Sequence, residues 1–154
     1  MDVGDWDQQV REHLWHDLVA EHRHLACVLK DVASLAQEGS FETARRRFGE
    51  YRLAHERHLL GERRLEAFCA GVREVAAFLG QLEKERARVL EQSERVWSCL
   101  CREKRGPVPR LLERLSSLVA EHERAQRRLV LAELPLSPEL RNAQGVLLRR
   151  LGHL

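Results

Sequence analysis

The stretch from residue 48 to residue 65 carries a helix-packing stripe whose centre is polar. Apolar side chains recur at the three- and four-residue spacing of one helix face at both ends of this stripe. Between them stand His55, His58 and Glu62, which share the same face. Burying two imidazoles and a carboxylate costs free energy unless other groups pair with them. Either the facing helices or a metal ion should therefore supply partners. The stripe consists of Phe48, Tyr51, His55, His58, Glu62 and Leu65.

The composition favours long helices over a β fold. Aromatic residues make up 5% of the chain, charged residues make up 32%, and there are only 4 prolines. Arg, Leu, Glu and Ala dominate, and all four are good helix formers. A length of 154 residues suits one domain with one substantial core.

Periodic apolar segments separated by turn residues predict four long helices. Gly39, Gly71 and the Gly-Pro pair at 106–107 mark the breaks between them. The predicted segments cover about residues 7–37, 41–70, 72–103 and 109–133.

The segment lengths and short turns predict an all-α, antiparallel, up-down-up-down four-helix bundle in residues 1–134. Residues 135–154 form a separate, Pro-bounded tail in this interpretation. Ser137 can cap a short fifth helix there, with Pro138 at its first position and its end near residue 151.

The turn positions predict that four polar residues lie at one height in the bundle. His22 and His58 are 36 residues apart and equidistant from residue 40, at the first turn. Arg86 and His122 are also 36 residues apart, centred beside the third turn. Residues equidistant from a turn between antiparallel helices lie level, because each residue rises about 1.5 Å.

The two halves of the chain look like copies of one helical hairpin. The sequence Glu-His-Arg-His-Leu at 21–25 corresponds to Glu-Arg-Ala-Arg-Val at 85–89. The pattern His-x-x-x-Glu at 58–62 corresponds to His-x-x-x-Gln at 122–126. Bundle-core metal sites are built from inward polar groups on such hairpins.

The motif Asp-Leu-x-x-Glu-His at 17–22 and the motif His-x-x-x-Glu at 58–62 resemble the hemerythrin-like family with its HHE cation-binding domain. The resemblance covers about residues 10–133. It implies non-heme iron in the core of a four-helix bundle, either as one ion or as a di-iron pair. On this resemblance His22 and His58 would bind one iron, Glu62 would bridge two irons, and His122 would belong to the second iron.

The second half-site departs from the family pattern at two positions. Arg86 stands where the family has its third-helix histidine, and Gln126 replaces the fourth-helix carboxylate. Arginine stays protonated and cannot ligate a cation. The degenerate site that is left suits one ion of the two-His-one-carboxylate kind with open positions. Its candidate ligands are His22, His58, Glu62 and His122, with His55 as a possible substitute.

A metal-free interpretation stays open beside this one. Arg86 could form a buried ion pair with Glu62, leaving the histidines neutral and hydrogen-bonded around it. The protein would then be a hemerythrin-like bundle that acts as an interaction or scaffold protein, and residues 135–154 could contact a protein partner. If the bundle instead binds iron, it would bind oxygen, nitric oxide or peroxide as a small ligand, or it would act as an iron sensor. The sequence offers no candidate for nucleophilic catalysis, and whether the protein is an enzyme stays open.

Other classes of function lack support in the sequence. A net charge of +2 gives no broad electrostatic case for nucleic acid. No run of about 18 apolar residues predicts a membrane span, and the first residues lack a signal-peptide core. The four cysteines show no disulfide-framework spacing and are interpreted as reduced packing residues. We therefore predict a cytoplasmic location.

Overall fold

Every regular element that the structure describes is an α-helix. The computed structural model describes residues 3–69 and 73–130. No β-strand occurs in these two ranges, so the all-α prediction is confirmed for them. The helices are α1 (Val3–Gln37), α2 (Phe41–Cys69), α3 (Arg73–Cys101) and α4 (Val108–Val130).

The four helices pack together around one apolar core. Helix α1 packs against α2 and α4, and helix α3 packs against the same two helices. Every helix contributes side chains that are at most 1% exposed, so the core runs between all four. These side chains include Val28, Val32, Phe48, Tyr51, Val96, Leu100, Val108 and Leu115.

The turn between α1 and α2 follows from Gly39, which has a φ of 82°. Its N–H bonds to the carbonyl of Ala36, and the Ser40 N–H bonds to the carbonyl of Leu35. This pair of bonds is the Schellman cap, which favours glycine because the left-handed conformation crowds a Cβ. The first turn is therefore at Gly39, as the sequence predicted.

Helix α3 ends with the same pair of bonds on a residue that is not glycine. Glu103 has a φ of 53° and donates its N–H to the carbonyl of Leu100. The Lys104 N–H bonds to the carbonyl of Cys99. The Gly-Pro pair at 106–107 correctly indicated the break, but the cap lies just before that pair.

Ion pairs between α2 and α3 connect residues in reverse order along the two helices. Arg63, late in α2, contacts Glu83, early in α3. Arg52, earlier in α2, contacts Glu94, later in α3. The predicted fifth helix and the tail of residues 135–154 lie outside the described residues.

The stripe on α2 is buried as its spacing predicted. Phe48, Tyr51, His55, His58 and Glu62 are each at most 9% exposed, whereas the side chain at position 65 is not among those described. The core therefore encloses the polar centre of the stripe.

Candidate metal centre

The four residues predicted to form one layer are buried in the helical core, as are Glu62 and Gln126. Each of the four helices contributes at least one of them. All are between 0% and 9% exposed. The cluster, called the Glu62 cluster below, consists of His22, His58, Glu62, Arg86, His122 and Gln126.

The carboxylate of Glu62 is the centre of this cluster. Its Oε1 lies 2.6 Å from Nε2 of His58, and its Oε2 lies 2.9 Å from Nε2 of His122. Oε2 also accepts a hydrogen bond from Nε of Arg86 at 3.1 Å. Burial acts to raise the pKa of Glu62, but the contacts with His122 and His58 outweigh burial and lower the pKa. Glu62 is therefore a buried carboxylate in its ionised form.

Arg86 brings a permanent positive charge to the cluster, and its side chain is 0% exposed. Burial lowers the pKa of Arg86 and Glu62 raises it, and a guanidinium stays protonated in proteins. Its Nη1 also donates to Oε2 of Glu83 at 2.7 Å. The ion pair between Arg86 and Glu62, predicted as part of the metal-free interpretation, is thus present.

Two further carboxylates contact the outer sides of the histidines. Nδ1 of His58 lies 2.5 Å from Oε2 of Glu21. Nδ1 of His122 lies 3.4 Å from Oε2 of Glu85. The roles of Glu21 and Glu85 were not predicted from the sequence, although both residues occupy the same position in the two half-repeats. That repetition was the signal from which their role could have been found.

The carboxylates on both sides of His58 control its protonation. Burial acts to lower the pKa of His58, but Glu62 and Glu21 outweigh burial and raise it. Histidines that bind metals commonly place a carboxylate on the ring nitrogen that does not face the metal. The contact between His58 and Glu21 has this form.

His22 lies against His58 with few polar partners of its own. The two rings meet edge to face, with 4.7 Å between their centroids. Nδ1 of His22 is 3.6 Å from Oε1 of Glu123, which is too long for a hydrogen bond. Burial lowers the pKa of His22, even though Glu123 acts to raise it. His22 is therefore a neutral imidazole.

Several buried polar atoms of the Glu62 cluster have no hydrogen-bond partner. The contact between His58 and Glu62 is short, but it does not have the angles of a hydrogen bond. Each such atom costs free energy, and buried polar groups in folded proteins are nearly always satisfied by protein, water or an ion. These atoms include Nδ1 of His22, Nε2 of His58, Oε1 of Glu62 and Oε1 of Gln126.

His55, the possible substitute ligand, lies one turn before His58 on α2. Its ring stacks on the ring of Tyr51, with 5.6 Å between centroids. Burial, and then the neighbouring His58, lower the pKa of His55 to about 4. Burial also raises the pKa of Tyr51, whose buried hydroxyl has no hydrogen-bond partner. This pair adds a neutral imidazole and a phenol beside the cluster.

A groove between α1 and α2 leads from the surface to His58. Its volume is about 250 Å³. Glu21 and Arg57 line this groove, and the groove reaches His58 beside its contact with Glu21. A small ion or molecule could therefore approach the cluster from this side.

The types of donor atom in the Glu62 cluster suit one divalent cation, but the positions of these atoms do not. Imidazole nitrogens and carboxylate oxygens suit iron and related ions. Within residues 3–69 and 73–130, however, no group of three or more His, Cys, Asp or Glu side chains is placed so that it could hold a metal ion. His58 and His122 contact Glu62 directly, so these side chains would have to separate to admit an ion. Arg86 and Gln126 do not fit a second ion, because a guanidinium cannot ligate and an amide is neutral.

The other predicted side chains lie mostly outside the cluster. His16 and His24 are exposed. Cys27, Cys99 and Cys101 are free thiols, so the absence of a disulfide is confirmed for these three. Only Cys99 of the three is buried, and the interpretation of Cys27 and Cys101 as packing residues is therefore wrong.

No family model, curated protein or solved structure matches the chain. The resemblance to hemerythrin-like domains therefore rests on the residues themselves. Among the residues that the structure describes, no helix is both long enough and apolar enough to cross a membrane.

Proposed function

We propose that the protein is a hemerythrin-like metal-binding protein that holds one non-heme iron ion in the core of an up-down-up-down bundle. The ligands of the ion are His22, His58, Glu62 and His122. In this proposal the protein binds or senses a small ligand, and its location is cytoplasmic.

The antiparallel order of the bundle is supported by contacts between successive helices. Arg63 and Arg52 of α2 contact Glu83 and Glu94 of α3 in reverse order. Short turns join α1 to α2 and α3 to α4, and short connections favour antiparallel neighbours.

The observation that carries the metal proposal is the set of unsatisfied atoms in the core. Nδ1 of His22 is buried without a hydrogen-bond partner, and Nε2 of His58 and Oε1 of Glu62 lie 2.6 Å apart in a buried ion pair without making a hydrogen bond. All three belong to the residues that the sequence singles out as ligands. A cation bound among them would accept their lone pairs.

The outer carboxylates prepare His58 and His122 for this role. Glu21 and Glu85 contact the Nδ1 atoms and favour the tautomer that carries its proton there. Nε2 of each ring, which faces Glu62, is then free to donate its lone pair. The protein thus orients two imidazoles toward one carboxylate.

Bound iron would supply open coordination positions for oxygen, nitric oxide or peroxide. The groove beside Glu21 and Arg57 offers such a ligand a path to the core.

The test is the metal content of the purified chain after iron loading, measured by elemental analysis. We expect about one iron per chain, and we expect the His58→Ala variant to lose it because two contacts with the cluster disappear. The matched control is His24→Ala, which removes an exposed imidazole from the wall of the same groove. Equal iron in all three proteins, or no iron in any, would contradict the proposal.

Arg86 favours a second candidate function, in which the bundle is metal-free and acts as an interaction or scaffold protein. The guanidinium already supplies Glu62 with a cation inside the core. In that case residues 135–154 are the proposed contact for a protein partner. Thermal unfolding separates the candidates: iron would raise the melting temperature of a metal protein and would leave that of a scaffold unchanged.

A further inference from the structure

Among the residues that the structure describes, the large apolar side chains that are exposed lie on α2 and α3. Leu53 and Leu60 of α2 are 52% and 56% exposed, and Leu90 of α3 is 38% exposed. Leu53 and Leu60 are seven residues apart, so they share one face of α2 and are separated by about 10 Å. These three side chains are called the leucine patch below.

Two ion pairs set the register between α2 and α3. Nη2 of Arg63 lies 3.2 Å from Oε1 of Glu83, and Arg52 contacts Glu94. Both contacts follow the same reversed order along the two helices. In this register, position 90 of α3 is level with position 56 of α2, which lies between the two exposed leucines of α2.

The same register makes the leucine patch one continuous surface. Leu90 follows Glu83 by seven residues and precedes Glu94 by four, so it lies on the face of α3 that meets α2. It is level with the gap between Leu53 and Leu60. Single exposed leucines are common on protein surfaces, whereas a contiguous apolar patch bounded by charged residues is typical of an interaction site. The patch therefore needs an occupant with an apolar stripe of the same length.

Residues 131–154 follow α4, and their sequence contains such a stripe. Leu140 and Leu147 are seven residues apart, as are Leu53 and Leu60. Leucines at positions 151 and 154 continue the stripe at helical spacing. The predicted fifth helix, beginning at Pro138, would therefore match the patch in both the type and the spacing of its side chains.

The charges on the two segments favour one direction for this helix. If the segment runs opposite to α2, Glu139 comes within reach of Arg63, and Arg150 is level with Glu50. Arg63 and Glu50 are 51% and 54% exposed, so both are accessible to a partner. The other direction would place Arg150 beside Arg63, and like charges repel.

The end of α4 lies at the correct end of the bundle for this direction. Glu85 contacts His122, and Gln92 bonds to the carbonyl of Leu111, so α4 runs in reverse order to α3. Helix α4 therefore runs in the same direction as α2, and Val130 lies toward the end at which α2 ends. Leu60 is nearer to that end than the other two patch leucines.

The connecting segment is long enough to reach the patch. Residues 131–137 can span up to about 23 Å when extended. Neighbouring helix axes in a bundle are about 8–10 Å apart. The segment can therefore pass one helix and enter the face between α2 and α3.

We infer that residues 138–151 form a fifth helix that packs on the leucine patch of its own chain, antiparallel to α2. The leucine stripe of this helix covers the patch, and its terminal charges pair with Arg63 and Glu50. The inference goes beyond the proposed function and does not depend on whether the core binds iron.

Photochemical cross-linking of the full chain tests where the C-terminal segment lies. The photoreactive amino acid p-benzoylphenylalanine replaces Leu60, and mass spectrometry locates the cross-linked residues after irradiation. We expect cross-links to residues 138–151 within one chain. The matched control carries the same amino acid in place of Arg114, which is exposed on α4, and should not react with that segment.

Mixing with an isotope-labelled wild-type chain separates the occupants of the patch. Cross-links between the photoreactive chain and labelled peptides would mean that a second copy covers the patch, and this result would overturn the inference. A lack of cross-links from position 60 to residues 138–151 would overturn it as well.

A thermal double-mutant cycle tests the same contact without a photoreactive group. Leu60→Ala should lower the melting temperature of the wild type by about 2–4 °C and should have no effect once Leu140→Asp has removed its partner. The control is Leu59→Ala, which changes a side chain that is 5% exposed in the core and should have the same effect in both backgrounds. An equal effect of Leu60→Ala in both backgrounds would overturn the inference.

Discussion

In the core of this protein, one buried carboxylate contacts three nitrogen-bearing side chains. Glu62 contacts His58, His122 and Arg86, and all four are nearly inaccessible to solvent. A buried ion pair adds little stability compared with apolar packing, but removing one partner leaves an uncompensated charge. Substitutions of single residues in this cluster should therefore change the free energy of unfolding strongly.

Replacing Arg86 with methionine should strongly destabilise the chain. The apolar side chain is of similar length but leaves Glu62 buried without its guanidinium partner, at a cost of about 3–5 kcal/mol. Urea denaturation with chelator present measures the loss. The matched control is Arg95→Met on the same helix, where the ion pair with Glu91 is exposed. That change should stay within about 0.5 kcal/mol. Similar stability for both variants would contradict the importance of the buried pair.

His55 should make the stability of the chain depend on pH. The unfolded chain binds a proton at this imidazole below pH 6.5, whereas the folded chain resists protonation until about pH 4. Stability is therefore lost as pH falls from about 6.5 to about 4, by roughly 3 kcal/mol in total for this group. Glu62, whose pKa is lowered, adds a loss of the same sign at still lower pH.

The variant His55→Phe keeps a ring against Tyr51 and removes the titrating group. Its free energy of unfolding should fall less steeply between pH 6.5 and pH 4 than that of the wild type. The exposed His24, changed to Phe, is the control and should leave the slope unchanged. A wild-type slope in the His55 variant would mean that its imidazole does not resist protonation in the fold.

At the residue scale, the sequence predicted which groups meet and the ion pair of Arg86 with Glu62, but not the partners of the outer histidine nitrogens. Helix rise and the glycine and proline breaks set the heights of His22, His58, Arg86 and His122, so these residues could be placed together. The contacts of Glu21 and Glu85 with the outer nitrogens depend on side-chain rotamers. Helical periodicity carries no information on those rotamers.

At the scale of the helices, two equivalent caps are built from different residues. Gly39 ends α1 and Glu103 ends α3, both with positive φ. An L residue in this conformation costs about 1–2 kcal/mol relative to glycine. The end of α1 was predictable because its glycine is explicit in the sequence. The end of α3 was predictable only approximately, because a glutamate gives no such signal.

Adding a side chain at the first cap and removing one at the second should have opposite effects on the stability of the chain. Gly39→Ala should destabilise the chain by about 1–2 kcal/mol. Its new Cβ would lie 2.6 Å from Nη2 of Arg105, although that flexible side chain can move away. Glu103→Gly should stabilise the chain by up to about 1 kcal/mol, since it relieves the same strain. Chemical denaturation measures both changes.

Glu103→Ala is the control for this pair of variants. It removes the contact of Glu103 with Arg45 and keeps a Cβ at the positive φ. Its stability should therefore stay below that of Glu103→Gly. Equal stability of the alanine and glycine variants would show that backbone strain at this position is negligible.

At the scale of the whole molecule, residues 3–69 and 73–130 form four helices that pack around one core with a polar cluster in it. The halves keep the outer carboxylate and the histidine that it contacts, and they differ at His22 against Arg86 and at Glu62 against Gln126. The sequence was sufficient to predict the four helices. It could not show whether Arg86 or an ion is the main partner of Glu62, because both satisfy the same carboxylate.

The most direct measurement of the central claim is an anomalous difference map at the iron edge from crystals of the iron-loaded chain. The account predicts one peak per chain, in contact with His22, His58, Glu62 and His122, with Arg86 still bonded to Glu62. No peak in the core, or a second peak at the side chain of Arg86, would contradict it.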